Sequence, residues 1–328
     1  MIRTIFFGTP LFSKNILTYL LEQREIEIAS IVTKLPKGKP DKKNNAVYDF
    51  AKLSQIPYLT PYKFNNEFED KLRQIDPDLI IVASYGKILP KWIIDYPKLG
   101  SLNVHGSLLP TLRGATPIES AILSGLQKTG LTLQKMSVEL DEGDIIGQVE
   151  LAESLDNINA TELYAKLSNL SIHLLDEFLL SYLNGEVTPF KQANLTDIQP
   201  TYCYTSDFSF EKAELHFDYK IELDRKIRAF SEIGTWVKNI EIVDVQSGEK
   251  TFLTNLVKIN SCKSDSTQLS LLCITNEKLE EKLKLSIIKD RLFLSCRDGV
   301  LEVLEITPEG KPKQKAKDFI NGVWNRLR

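Results

Sequence analysis

The chain has 328 residues, 42% of them hydrophobic and 26% charged, with a formal net charge of -3. That is the balance of a globular protein too long for a single core, and two domains are expected. The slightly acidic total excludes a wholesale nucleic-acid coat protein but leaves room for a local basic patch. The N-terminus MIRTIFFGTPLF has no long apolar core ending in a small-residue cleavage site, and no apolar run is long enough to cross a bilayer. Cys203, Cys262, Cys273 and Cys296 form no Cys-x-x-Cys pair, so neither a zinc ribbon nor a redox motif is indicated, and a reducing cytoplasm is the expected setting.

In chain order, RTIFFG is a short apolar run ending at Gly-Thr-Pro, and an amphipathic stretch around Ile16 to Leu21 follows. IEIASIVT, DLIIVASYG and LGSLNVHG predict strands, with helices at NNAVYDFAKL and FEDKLRQI, and at PIESAILSG, which opens on a proline. Near-continuous Val/Ile/Leu runs between helices predict a Rossmann-like α/β fold, a mostly parallel sheet with helices on both faces. Ligands of such sheets bind outside the carboxyl ends of the strands. GLTLQKMSVEL and IIGQVELAES predict a β-pair around the turn DEGD, and a helix from about Thr161 to Leu183 closes the first domain, 1–188. Residues 189–207 are polar, carry Pro189 and Pro200 and lack sustained periodicity, which predicts a linker. In 208–328, the runs WVKNIEIVDV, LTNLVKIN, LSIIKD, RLFLSC and VLEVLEITP predict a small OB-like β-barrel, with helices at RKIRAF and AKDFINGVW.

The first chemical candidate is Asn103-Val104-His105. Alternate strand residues share a face, so Asn103 and His105 point one way and Val104 the other. An amide donor beside an imidazole suits a carbonyl that becomes an oxyanion. Taken alone the pattern favours an ordinary strand-end histidine bonded to a neighbouring backbone group. Asp141, in the acidic turn LDEGD with Glu142 and Asp144, adds a carboxylate able to hold His105 as a donor, although Asp and Gly also favour a plain polar turn. A metal site ranks below both readings, because the turn lacks EF-hand spacing and no second histidine is near. Ser107-Leu108-Leu109-Pro110 forms a loop whose leucines either plug the core or wall a pocket for a flat, partly apolar ligand. FGTP has a single glycine, so a dinucleotide fingerprint is absent. Two lysine runs, Lys34 to Lys43 and Lys311 to Lys317, hint at a polyanionic partner, and His173 and His216 read as structural.

NVHGSLLPTLRGATPIESAILSG followed by TGLTLQKMSVELDEGDIIGQ resembles the folate-dependent formyltransferases: Asn-x-His, then Ser-Leu-Leu-Pro, then Asp in a Leu-Asp-x-Gly turn. FFGTPLF and ASYGKILP resemble the family's first and fourth strand ends. LHFDYKIELDRKIRAF and DGVLEVLEITPEGKPKQKAKDFING resemble the C-terminal domain of the members that act on methionyl-tRNA. The resemblance implies transfer of a formyl group from 10-formyltetrahydrofolate to the α-amino group of methionine on initiator tRNA, releasing tetrahydrofolate, by a monomeric enzyme without a metal. It implies Asn103, His105 and Asp141 as the catalytic set. Ser107, Leu108, Leu109 and Pro110, with Ile88 and Leu89, would line the folate site, and Phe12 would meet the methionyl side chain. Lys37, Lys39, Lys42 and Lys43, with Lys311, Lys313, Lys315 and Lys317, would meet tRNA. The chain departs from the family's Gly-Arg-Gly-Lys-Lys loop with Gly38-Lys39-Pro40-Asp41-Lys42-Lys43, replacing an Arg fork by a Lys point charge. SEIGTW and PTYCYTSDF also depart, in and before the second domain. Rival readings are an N-formyltransferase acting on an amino sugar nucleotide, a formyltetrahydrofolate hydrolase, and a non-catalytic RNA-binding protein.

Overall fold

The computed structural model describes residues 1–35, 45–253, 256–264 and 282–324. The chain divides into two compact units. The first comprises Met1–Ile118, Gln127–Ser154 and Glu162–Tyr204; the second comprises Glu119–Leu126, Leu155–Thr161 and the chain from Thr205 onward. Among the described residues no helix is long and apolar enough to cross a membrane.

The first unit begins β1 (Ile2–Gly8), α1 (Leu11–Leu21), β2 (Ile26–Val32), α2 (Ala46–Leu53), β3 (Tyr58–Leu59), α3 (Asn66–Ile75), β4 (Leu79–Ala83), α4 (Lys91–Ile94) and β5 (Ser101–His105). The chain continues through β6 (Arg113–Gly114), α5 (Pro117–Leu123), β7 (Gly130–Lys135), β8 (Ile145–Glu150), α6 (Ala160–Leu183) and β9 (Tyr202–Cys203). Seven strands form one sheet in the order β3-β2-β1-β4-β5-β7-β8. The first five neighbours run parallel, and β7 and β8 close the edge antiparallel. All five residues of β4, LIIVA, are buried, as a strand covered on both faces requires. One face packs Ile5, Phe7, Val32, Ile80 and Val82 against Phe68 and Leu72 of α3. Because β2 and β4 flank β1 on opposite sides, the strand order reverses at β1/β4, and the carboxyl ends of β1, β4 and β5 open on one edge.

The segment expected as a linker is in large part built into this unit. Phe190 bridges Ile145, and β9 runs parallel to β6. Its ordering comes from backbone pairing over two residues and a few buried side chains, which leave no periodic signature.

In the second unit, α7 (Lys220–Ala229) packs on a sheet of β10 (Thr235–Val237), β11 (Ile240–Asp244), β12 (Lys250–Leu253), β13 (Val257–Ser264), β14 (Lys284–Ile288), β15 (Arg291–Cys296), β16 (Gly299–Pro308) and β17 (Gln314–Lys315). The run WVKNIEIVDV, expected as one strand, is two, broken where Asn239 takes a left-handed φ of 53°. The break separates strands far apart in the sheet: β10 pairs β13, while β11 lies near the other end, between β14 and β12. Only two residues join β10 to β11, so the sheet has to curl round on itself, which gives the OB-like architecture. Leu223 and Ile227 of α7, Ile259, Leu285, Leu294, Leu301, Ile306 and Phe319 fill its interior.

Candidate active site

At the end of β5, Asn103 pairs with Gln134 of β7 and His105 pairs with Thr132. Directly opposed residues place their side chains on the same face, so the β5/β7 edge presents two amides side by side. Both converge on Asp141. Its Oδ1 accepts from Asn103 Nδ2 at 3.4 Å and Gln134 Nε2 at 2.9 Å, and its Oδ2 accepts from the Gly114 backbone N–H at 2.8 Å. His105 Nδ1 lies 3.6 Å from Oδ2, within ion-pair range but beyond a hydrogen bond, with side-chain exposures of 5% for His105 and 12% for Asp141. These donors set the amide orientations, since only the amide nitrogens can give hydrogens to a carboxylate. His105 Nε2 lies 2.9 Å from the Leu112 carbonyl, which can only accept, so the Nε2 position carries a hydrogen and Nδ1 is the edge turned to the site.

Two glycines permit this convergence. Gly114 has φ 119°, and a Cβ there would sit 2.0 Å from the Cys203 carbonyl oxygen. A Cβ at Gly143 would lie 1.7 Å from the Lys135 oxygen, so the turn bearing Asp141 lies flat on β7. Asp141 itself has φ 52°, in the left-handed region that Asp tolerates better than most residues.

The loop from Ser107 to Leu112 is pinned by Thr132, which is fully buried. Thr132 Oγ1 donates to the Ser107 carbonyl at 2.6 Å and accepts from the Leu109 N–H at 3.0 Å and from Gln148 Nε2 at 2.9 Å. Gln148 Nε2 also donates to the Leu109 carbonyl at 2.8 Å. The Leu109–Pro110 peptide is cis.

Of the residues expected at the site, Asn103, His105 and Asp141 come together. Ser107, Leu109, Pro110 and Leu89 are buried, Leu108 is half-buried, and Ile88 is 87% exposed. Leu109 therefore plugs the core, while Ile88 and Leu108 stay available to an apolar ligand. Phe12 lies on α1, just beyond the β1 end of the same edge, and is buried. Lys311, Lys313, Lys315 and Lys317 are exposed in the second unit, with Lys313 paired to Glu305 at 2.9 Å and Lys317 to Asp290 at 3.3 Å. Lys37, Lys39, Lys42 and Lys43 lie outside the described residues. Sequence reasoning missed Gln134, Thr132 and Gln148. The signal for the first two was their register opposite Asn103 and His105, legible once β5 and β7 are paired. Among the described residues no group of three or more His, Cys, Asp or Glu side chains is arranged to hold a metal.

Exposed apolar side chains on the elements that build this cluster suit a flat, partly apolar ligand. Besides Ile88, Val138 and Leu140 in the turn before Asp141 are 56% and 51% exposed. A cavity of about 250 Å³ also opens in the first unit, lined by Arg113, Gln192 and residues of 193–200. It holds none of Asn103, His105 and Asp141, and the convergence of side chains rather than this cavity marks the site.

Comparison with known proteins agrees with this geometry. Residues 2–178 match the Formyl transferase family and residues 211–323 match the Formyl transferase, C-terminal domain family. The methionyl-tRNA formyltransferase of Bacillus licheniformis is 34% identical over 329 residues, covering 98% of this chain and 95% of that protein. That of Caldicellulosiruptor saccharolyticus is 33% identical over 323 residues, covering 97% and 96%. Among solved structures, an N-formyltransferase from Helicobacter canadensis, in complex with folinic acid and dTDP-3-aminofucose, superposes with a TM-score of 0.62 at 19% identity, covering 96% of this chain and all of that one.

Proposed function

From the premise that the chain belongs to the formyl transferase family, we propose that it moves the formyl group of 10-formyltetrahydrofolate to the α-amino group of methionine on initiator methionyl-tRNA. The observation that carries the chemistry is the meeting of Asn103, His105 and Asp141 at the carboxyl edge of the sheet. The choice of acceptor is supported by full-length relatives at 33–34% identity, whereas the sugar-linked structure at 19% identity shares the fold alone.

Bound at this edge against Ile88 and Leu108, the folate supplies an activated formyl carbon. An amine attacks it directly, so the chain needs no nucleophile of its own. Asn103 Nδ2 gives one hydrogen to Asp141 and holds the amide so that its second N–H meets the formyl oxygen as negative charge develops. His105, anchored through Nε2–H by Leu112, turns its Nδ1 edge toward the same oxygen with the Asp141 carboxylate beside it, and in its doubly protonated form donates Nδ1–H to that oxygen. Asp141 Oδ2 has a lone pair beyond its bond to Gly114 N–H, accepts the proton that the amine sheds and passes it on to N10 of the folate; the tetrahedral intermediate then collapses, the formyl carbon–N10 bond breaks, and tetrahydrofolate leaves. Phe12 borders the methionyl side chain, and the lysine runs hold tRNA phosphates.

The discriminating experiment offers labelled 10-formyltetrahydrofolate with methionyl-tRNA, with amino sugar nucleotides, or with water alone. Label is expected on the methionyl amine. Transfer only to the sugar would establish the sugar-linked alternative, release to water a hydrolase, and no turnover with RNA binding a non-catalytic protein.

A further inference from the structure

Gln192 sits in the stretch that the sequence marks as linker, and it is only 4% exposed. Its Nε2 donates to the backbone carbonyls of Asp141 at 2.7 Å and Gly143 at 2.9 Å. Its Oε1 accepts from both Nε and Nη2 of Arg113, at 3.1 and 2.8 Å. Arg113 immediately precedes Gly114, whose N–H holds Asp141 Oδ2. One amide thus joins the turn that carries Asp141 to the strand that holds its carboxylate. Arg113 Nη1 meets Glu142 at 2.8 Å, and the Tyr202 hydroxyl donates to the same carboxylate at 3.2 Å, closing the clasp from β9. All four hydrogen bonds of the Gln192 side chain end on these two loops. The turn they grip has Asp141 in the left-handed region, a conformation that persists only where its surroundings over-determine it.

We propose that Gln192 is a positioning residue for the reaction: it fixes the Asp141 turn against Arg113-Gly114 and thereby sets the Asp141–His105 geometry. This makes the start of the interdomain stretch part of the catalytic machinery. The inference rests on the formyl-transfer reading above and concerns a residue that touches neither substrate.

The test uses the full chain carrying Gln192→Glu or Gln192→Leu. The glutamate keeps an acceptor for Arg113 but replaces two donors with a carboxylate facing two carbonyls; the leucine removes both halves. Asn194→Ala, exposed two residues along, is the control. In both Gln192 variants kcat for methionyl-tRNA formylation is expected to fall on the order of 10²-fold, the penalty for a displaced catalytic group, with KM for either substrate little changed. The ¹³Cε1 resonances of the three histidines give a readout independent of turnover. The His105 signal, assigned by its loss in His105→Gln, is expected to move while those of His173 and His216 stay. Unchanged kcat or an unmoved His105 signal in a folded variant would overturn the proposal. Failure of both variants to fold would also overturn it, since Gln192 would then serve stability alone. An inactive parent chain would instead refute the formyl-transfer reading, and the histidine signals would still decide whether Gln192 sets this geometry.

Discussion

Gln134 Nε2 donates to Asp141 Oδ1 across 2.9 Å, the shorter of the two side-chain hydrogen bonds that fix the Asp141 carboxylate. Its own Oε1 is buried with no partner among the described residues. An orphaned buried acceptor is a standing cost to stability, while the donor half of the same amide serves the site. Gln134→Leu is therefore expected to leave Tm equal or higher and to lower kcat about 10-fold, the kinetic equivalent of roughly 1.4 kcal/mol from one absent hydrogen bond to a charged group. Thermal unfolding and steady-state kinetics on one preparation check both halves. A lower Tm with unchanged kcat would make Gln134 a structural residue.

How much of this was legible beforehand follows the physics of each signal. Burial on both faces writes itself into composition, so β1, β2, β4 and β5 and their mostly parallel, Rossmann-like arrangement were readable, while the order of the strands in the sheet was not. Asn103 and His105 share a face by strand periodicity, and Asp141 lies in a turn that Gly143 announces. Gln134 and Thr132 were not readable, because their value comes from cross-strand register, which a single sequence does not state. Gln192 was hidden more deeply, since its partners are two backbone carbonyls at separations of 51 and 49 positions and the Arg113 guanidinium at a separation of 79. The C-terminal barrel was legible as short strands, but the break at Asn239 that sends β10 and β11 to distant places was not.

On the proposed mechanism Asn103→Ala removes an oxyanion donor, and it is expected to reduce kcat on the order of 10²–10³-fold with the fold intact. His105→Ala should lose at least as much, and it also leaves the Leu112 carbonyl with only the weak Cys203 thiol donor, so a modest fall in Tm accompanies it. Rapid-quench measurement of single-turnover formylation separates these effects from product release. Full turnover in His105→Ala would show that the imidazole takes no part in the reaction.

Thr132 donates once and accepts twice through a single hydroxyl, so Thr132→Val is not a conservative change. The valine leaves the Ser107 carbonyl and the Leu109 N–H without partners beneath the loop assigned to folate. A loss of roughly 1–3 kcal/mol in stability is expected. KM for 10-formyltetrahydrofolate should rise while KM for methionyl-tRNA holds. Equal changes in both would place the loop's contribution outside folate binding.

In the second unit Glu302 lies among Arg291 and Lys263, accepting from Arg291 Nε at 2.8 Å and meeting Lys263 Nζ at 3.1 Å. Hydrogen bonding from Arg291 is the main cause that holds its carboxyl below the usual value of 4.5, and Lys263 adds to it. A depressed folded-state pKa means that the ionised pair contributes stability above the unfolded pKa, and that this contribution disappears as pH falls through the folded one. Glu302→Gln should accordingly be less stable than the parent near pH 7, by about 1 kcal/mol once the solvent-facing side of Arg291 is discounted. The gap should close as pH drops below about 4. Urea melts at several pH values test this, and a gap that widens in acid would reverse the assignment.

The two lysine runs should contribute unequally to tRNA binding. Lys313 and Lys317 already face Glu305 and Asp290, so a phosphate must compete with a carboxylate for each, whereas Lys311 and Lys315 form no ion pair among the described residues. Exposed pairs of this kind are worth little, roughly 0–1 kcal/mol, yet they reduce the counterions that each lysine would release on binding. Replacing Lys37, Lys39, Lys42 and Lys43 together by Ala should weaken tRNA binding strongly. The slope of log K against log salt should flatten by about one unit for each phosphate that no longer meets a lysine. Replacing Lys311, Lys313, Lys315 and Lys317 together should change that slope by less than half as much. Titrations of labelled initiator tRNA between roughly 50 and 200 mM salt read both slopes directly. A larger change in the second set would move the principal phosphate contact to the β16–β17 turn.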